Sequence, residues 1–240
     1  MARDTLAPAV LRDAWESEAE NWVRWARAPG HDSYWLFHRD AFLGLLPGPG
    51  RLTLDVGCGE GRLTRDLTQR GHRVIGLDPS RTMVRHAALE GGGLGFVRGD
   101  AANLPFPNGA ADLAVAFMAL QDVDDMPGCI RELARVLEAG GRLCLAIPHP
   151  INSVRTVAHG AERAAWMVEA GAYWTPRRLA DSVERDGLRM TFHGMHRPLQ
   201  DYFKALSHVG LLTEMVREPQ GTGSSSGDFP WFLHLRARKP

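Results

Sequence analysis

Lysine is nearly absent from this chain. Only Lys204 and Lys239 occur, and arginine supplies the rest of the positive charge, a compositional bias to which we attach no function. There is no excess of either sign, because 28 basic residues balance 28 acidic ones. A protein that lives on nucleic acid usually shows a basic surplus, so nucleic acid is not expected as a partner. Cysteine is scarce: the 3 residues Cys58, Cys129 and Cys144 are odd in number and widely spaced. That pattern excludes a disulfide framework and a zinc ribbon, and fits free thiols in a reducing cytosol. No apolar run approaches the roughly 18 residues a membrane-spanning helix needs. The charged start, with Arg3 and Asp4, does not read as a secretory signal, so a cytoplasmic protein without a membrane partner is expected. No repeat is found. The single low-complexity patch, residues 221–227, reads as a flexible loop.

With 240 residues, 44% of them hydrophobic, the chain is long enough for one α/β domain with a full core. Its organising stretch runs from Leu52 to Leu63. Leu52, Leu54 and Val56 form an apolar run suited to a strand covered on both faces. Gly57, Gly59 and Gly61 follow at every second position, where a missing Cβ allows positive φ and close approach of a ligand. A helix from Arg62 to Arg70, stopped at Gly71, would aim free N–H groups and a positive dipole end at that turn. A second strand from His72 to Leu77 ends in Asp78, 23 residues (78 − 55) after Asp55. The acid that grips a ribose in a βαβ nucleotide site lies about 20 residues beyond its glycine loop. Asp78 can therefore accept from both ribose hydroxyls.

The glycine spacing is G-x-G-x-G, led by Asp55, not the G-x-G-x-x-G of a dinucleotide site. Dinucleotide phosphates want a helix N-terminus; a methionine tail carrying an ammonium also wants acceptors, which an acid at Asp55 supplies. This form resembles motif I of the class I S-adenosylmethionine-dependent methyltransferases, in particular small-molecule enzymes of the type 11 kind. "LPFPNGAADLAV" and "RELARVLEAGGRLCLAIPHP" are similar to the family's run-up to the fourth strand and to its helix–Gly-Gly–strand unit. The resemblance covers about residues 50–150. It implies a Rossmann-like, doubly wound, seven-stranded α/β sheet, mostly parallel with one antiparallel strand, plus N-terminal helices and a lid insertion. The expected divisions of this single domain are an N-terminal helical cap (1–50), a cofactor-binding core (51–147), a substrate lid insertion (148–196), and a C-terminal helix and strand pair (197–240).

Read in order, residues 5–27 should be helical, with Leu11, Trp15, Ala19, Trp22 and Ala26 on one face. Asp32 or Ser33 should cap a second helix reaching Leu46. The many aromatics here either pack these helices on the sheet or cover a cationic ligand. Trp22, Tyr34 and Trp35 are the candidates for the second role, since an aromatic face attracts a sulfonium by roughly 0.5–2 kcal/mol. Ser80 should cap a helix over Arg81–Glu90, with Met83 in its first turn, and the resemblance sets this segment beside ribose and adenine. The resemblance also implies that Asp100 and the backbone N–H of Ala101 read the adenine edge; a turn cap is the alternative for Asp100. Further strands are expected at 94–98, 113–117 and 142–147, and a helix beginning at Asp125 or Pro127. Gln121 and Asp122, beyond the carboxyl end of the fourth strand, should border the transferred methyl. From His149 to about Met195 no core periodicity is visible, and a long irregular stretch is usually functional. A helix then ends at Gly210, with strands near 211–217 and 231–238.

The cofactor expected is S-adenosylmethionine, with Asp55, Gly57, Cys58, Gly59, Asp78, Pro79, Met83, Asp100, Ala101, Gln121 and Trp35 as its candidate contacts. Methyl transfer from a sulfonium is an in-line displacement in which alignment can supply roughly 7–11 kcal/mol. A general base is needed only for a hydroxyl or a protonated amine. The candidates are His149, His193 and His196 near the lid. A metal pair of His193 and His196 lacks a third ligand, so no metal is expected. No Asn/Asp-Pro-Pro-aromatic or Pro-Cys motif appears, which argues against DNA amines and cytosine C5. The acceptor is therefore expected to be a small molecule, methylated on oxygen, nitrogen or carbon. The rivals are a cofactor-binding regulatory or assembly protein without turnover, and a nucleotide-dependent oxidoreductase.

Overall fold

Apolar residues on alternate positions of the central strands dictate a sheet covered on both faces, and the computed structural model of the protein has that architecture. It describes residues 10–157, 166–168, 171–219 and 230–240. The strands are β1 (Thr53–Val56), β2 (Val74–Asp78), β3 (Gly95–Arg98), β4 (Ala111–Phe117), β5 (Leu137–Pro148), and, from the C-terminus, β10 (Leu212–Arg217) and β11 (Phe232–Arg238). They form one seven-stranded sheet in the order β10-β11-β5-β4-β1-β2-β3. β11 runs antiparallel to both β5 and β10, while the β1–β2, β2–β3, β1–β4 and β4–β5 pairs are parallel. The chain winds outward from β1 in one direction and from β4 in the other. The topological switch point, where such sheets bind ligands, thus lies between β1 and β4.

Side-chain alternation divides the core. Leu54, Val56, Ala114, Ala116, Leu143 and Leu145 pack toward α5 (Met126–Val136) and α6 (Leu199–His208). Leu113, Val115, Phe117, Cys144 and Ala146 face the other way, onto α2 (Arg39–Leu43) and α3 (Arg62–Gln69). A third, smaller cluster joins α1 (Leu11–Arg27) to α4 (Arg81–Glu90) through Ala19, Val23 and Met83. Ser80 caps α4 by accepting from the Met83 N–H (3.0 Å), and Asp125 caps α5 by accepting from the Gly128 N–H (2.9 Å). Asp112 accepts from the Leu52 N–H (2.6 Å), a structural tie between β4 and the lead into β1.

Three expectations change. The second helix is broken into a π turn at Tyr34–His38 followed by the short α2. Tertiary anchors hold that turn: the Tyr34 hydroxyl donates to Asp66 (2.6 Å), and His38 Nδ1 lies 2.9 Å from His234 Nε2. The fifth strand begins at Leu137, not Arg142, because the chain leaves α5 early and turns through Gly140 at φ 80°. The stretch expected to be irregular contains β6 (Arg155–Val157) paired with β7 (Trp166–Val168). It also contains a long hairpin of β8 (Arg177–Arg185) and β9 (Leu188–His196). Asp186 and Gly187 close that hairpin with φ of 51° and 76°, the positive pair a type I′ turn demands. The start of the first expected helix (5–9) and the low-complexity loop (221–227) lie outside the described residues. Among those described, no helix is long and apolar enough to cross a membrane.

Candidate active site

The turn after β1 is shaped by three glycines with φ of 76°, 55° and 86° at 57, 59 and 61. Gly57 has no substitute: a Cβ there would sit 2.4 Å from the Ala119 Cβ. The turn is tied to β2 by its backbone, since the N–H groups of Gly57 and Cys58 both donate to the Leu77 carbonyl (2.8 and 3.0 Å). Asp78 is gripped on both oxygens. Gly59 N–H donates to Oδ2 and Ser80 N–H to Oδ1, each at 2.9 Å. Burial pushes the Asp78 carboxyl up to about 6, against the pull of those two N–H groups. Asp55 is wholly buried and accepts from the Thr64 hydroxyl at 2.6 Å; burial pushes it up to about 7. Two carboxylates facing one cleft without a cation between them form an acceptor-rich floor that favours a positively charged guest.

A cavity of about 720 Å³ opens over this floor. Of the candidate cofactor contacts, Asp55, Gly57, Cys58, Gly59, Asp78, Pro79, Met83, Asp100, Ala101 and Gln121 line it together. Trp35 does not. It is 53% exposed, and its indole N–H donates to the Ala26 carbonyl. Tyr34, another aromatic candidate, is a core residue with no exposure. Of that trio only Trp22 reaches the cavity, where Trp15, Trp25 and Phe192 join it. The cation actually stacked on Trp22 and Tyr34 is the Arg62 guanidinium, 5.1 and 4.7 Å from the ring centres. Arg62 also lines the cavity and pairs with Asp32; burial lowers it to about 9. Asp100 fills the turn-cap role, its Oδ1 accepting from the Ala102 N–H (2.8 Å), while still lining the cavity.

The opposite wall is the segment after β4. Met118 adopts φ 52°, a left-handed conformation costing a residue of this type about 1–3 kcal/mol. Gln121 Nε2 donates to Asp122 Oδ2 at 3.0 Å, and Gln121 Oε1 is buried without a partner. Arg197 braces this wall from the foot of β9 by donating to the carbonyls of Leu120, Val123 and Asp124.

All three candidate histidines line the cavity, in different states. His196 is 1% exposed with both ring nitrogens committed, to Ser153 Oγ (2.6 Å) and the Tyr173 carbonyl (2.8 Å). The Tyr173 carbonyl takes the Nε2 proton, and the Ser153 hydroxyl at Nδ1 also lies 2.9 Å from the Pro150 carbonyl. His196 is thus tied to two neighbouring groups inside the cavity wall. His149 Nδ1 accepts from the Ile151 N–H (3.3 Å) while Nε2 faces Glu218 (3.3 Å), and burial lowers its affinity for a proton. The His193 carbonyl accepts from Trp15 Nε1 (3.0 Å), which fastens β9 to α1. Among the described residues no three His, Cys, Asp or Glu side chains converge as a metal site would require.

Sequence reasoning missed Trp15, Trp25, Arg62, Phe192 and Arg197. The sequence places Trp15 only on a helix face and Arg197 only at the start of the C-terminal segment, and Phe192 lies in the stretch without a period. Their convergence depends on which elements pack together.

Residues 54–145 match the family model described as a methyltransferase domain. The solved structure of an S-adenosylmethionine-dependent methyltransferase from Mesorhizobium loti superposes with a TM-score of 0.68 at 27% identity, covering 83% of this chain and 96% of that one. The nocamycin O-methyltransferase of Saccharothrix syringae is 38% identical over 160 residues, 63% of this chain and 56% of the relative. Over residues 54–145 and in its fold, the chain is similar to the class I S-adenosylmethionine-dependent methyltransferases. The demethylmenaquinone methyltransferase of Thermobifida fusca is 31% identical over 163 residues, 65% of each chain. The chain thus spans between half and two thirds of those two curated relatives. The cofactor of the family is S-adenosylmethionine, and the residues present fit it. A glycine cradle that a Cβ would fill and two acceptor carboxylates match a ligand with a sulfonium, an ammonium and a ribose diol.

Proposed function

We propose that this methyltransferase transfers the methyl group of S-adenosylmethionine to a small-molecule acceptor. The observation that carries the reading is the double backbone clamp on Asp78. With Gly59 and Ser80 N–H groups fixing both oxygens, the remaining lone pairs are preorganised for two vicinal hydroxyls. Asp55 and the glycine turn would take the methionine end, with Asp78 and Pro79 at the ribose, Met83 beside it, and Asp100 and Ala101 at the adenine edge. Arg62, paired with Asp32 and stacked on Trp22, would lie near the methionine carboxylate. Bound there, the cofactor supplies an already activated methyl group. The protein's share is to hold it in line and exclude water, a share that alignment alone makes worth roughly 7–11 kcal/mol.

The acceptor would enter under residues 148–196, which we assign as a lid over the cavity, with 1–50 as the helical cap and 197–240 closing the sheet. Relatives named for a small-molecule product, such as the nocamycin enzyme, support a small acceptor, as does a cavity of about 720 Å³ enclosed by α1 and β9. Isothermal titration should show S-adenosylmethionine binding and no binding of NAD. Tritium from methyl-labelled S-adenosylmethionine should appear in a product of a bacterial metabolite extract. NAD binding in place of S-adenosylmethionine would overturn the reading, as would cofactor binding with no transfer.

A further inference from the structure

The cavity wall beyond the cofactor cleft displays unpaired negative charge and no spare positive charge. Arg12 is held by Asp13, Arg62 by Asp32, and the Arg197 guanidinium is spent on three carbonyls. Asp124, at the rim, is neutralised by Arg178. Asp122 has no ion pair within 4 Å among the described residues, the nearest positive charge acting on it being the Arg197 guanidinium. Its Oδ2 takes the Gln121 amide, and its Oδ1 lies under β9, 3.2 Å from where a Cβ on Gly194 would stand. Glycine at 194 is what leaves that oxygen open to the cavity. Beside it, Gln121 Oε1 is an acceptor buried without a donor, a state that costs about 1–3 kcal/mol until something supplies one. Asp122 Oδ1, with Gln121 Oε1 on the neighbouring side chain able to turn toward a guest that supplies a donor, complements a group carrying at least two N–H bonds. A carboxylate acceptor would be repelled, and a lone hydroxyl has a single proton for the two oxygens.

We propose that Asp122 and Gln121 form the recognition head for a primary amine, so that this enzyme is an N-methyltransferase whose acceptor enters as an ammonium. The ammonium would be the close cation Asp122 lacks, and the rings of Trp15 and Phe192, which line the cavity, suit both a cation and an apolar body. One N–H proton passes to Asp122 Oδ1. The freed nitrogen lone pair forms the bond to the methyl carbon as the carbon–sulfur pair returns to sulfur, leaving a methylated ammonium and a neutral thioether. Asp122 then gives its proton to solvent. Burial raises the Asp122 carboxyl against the pull of the Gln121 amide and Arg197, so the arriving ammonium is what holds it ionised until it takes that proton.

The inference rests on the methyltransferase reading, and the test separates the two. The protein is first titrated with S-adenosylhomocysteine; no binding would count against the cofactor reading itself. The complex is then titrated with 2-phenylethylamine, 2-phenylethanol and phenylacetate, which share one body and differ in the polar group. The amine should bind about tenfold or more tightly than the alcohol, and the acid least. Asp122→Asn should remove that preference with S-adenosylhomocysteine affinity retained, and tritium transfer to the amine should be lost with it. Gly194→Ala, which pushes a methyl at Oδ1, should weaken amine binding in the same way and covers the case in which the first variant does not fold. Equal or better binding of the alcohol or the acid overturns the proposal. So does failure of the loaded protein to bind the amine, or an amine preference that survives in both variants.

Discussion

At Asp78 a single side chain joins two loops and faces the cavity. Removing it leaves the Gly59 and Ser80 N–H groups without their acceptor and takes away the ribose contacts. Asp78→Ala should therefore weaken S-adenosylmethionine binding by about 1–3 kcal/mol in isothermal titration; unchanged affinity would refute the ribose assignment. The pH response follows from the same burial. Asp55 is raised to about 7 and Asp78 to about 6, and a cationic ligand binds their ionised forms. Affinity should be full above pH 7 and should fall as pH drops through 7 and then 6. Titrations at pH 8 and pH 5.5 would show it, and a flat profile would remove these acids from the site. That Asp55 and Asp78 meet at one cavity was legible because glycine spacing and strand length are local, one-dimensional quantities. Trp35 and Tyr34 were misassigned because an aromatic's sequence neighbourhood does not say which way its helix turns. A π turn moved Tyr34 into the core and Trp35 out to solvent.

Individual elements are held by partners far away in sequence. His38 in the π turn and His234 in β11 meet inside an aromatic nest with Phe42, Phe117 and Phe232. Burial, joined by each ring's neighbouring positive group, lowers them to about 3 and 4. A histidine whose folded pKa is depressed below its unfolded value near 6.5 gives stability that is present above pH 6.5 and lost as pH falls toward the folded pKa. The buried carboxylates act in the opposite direction, so the pair must be isolated by difference. The His38→Phe/His234→Phe variant should lose less stability than the wild type between pH 7 and pH 4.5, read from urea midpoints. Parallel curves would show that the pair does not titrate on unfolding. Arg197 makes a simpler case: Arg197→Met orphans three carbonyls in the wall after β4 and should cost roughly 1.5–3 kcal/mol in thermal or chemical unfolding. Helix caps at Ser80 and Asp125 were readable because capping is decided within four residues. The β8–β9 hairpin went unread although Asp186–Gly187 marks its turn, because β8 is largely exposed and leaves no alternating apolar pattern.

On the scale of the whole molecule, the cavity exists because α1 and the β8–β9 hairpin close over the carboxyl ends of the sheet. Trp22 and Trp25 each meet Phe192 edge-on at 6.0 Å. Replacing residues 178–195 by a short linker should abolish transfer while S-adenosylmethionine still binds, since the Asp55–Asp78 floor belongs to β1 and β2. Loss of cofactor binding from a variant with native circular dichroism would mean that the hairpin also holds the cofactor.

Sequence by itself determined the seven strands of the sheet, the glycine turn after β1 and the acid at the end of β2. Each depends on the order of apolar residues and on backbone freedom within a few positions. Tertiary structure alone decided which histidine is clasped, which tryptophan faces the cavity, and that Arg62, Asp122 and Phe192 share one chamber. Those outcomes depend on contacts between elements tens to hundreds of residues apart, and no local pattern records which faces those elements turn toward one another.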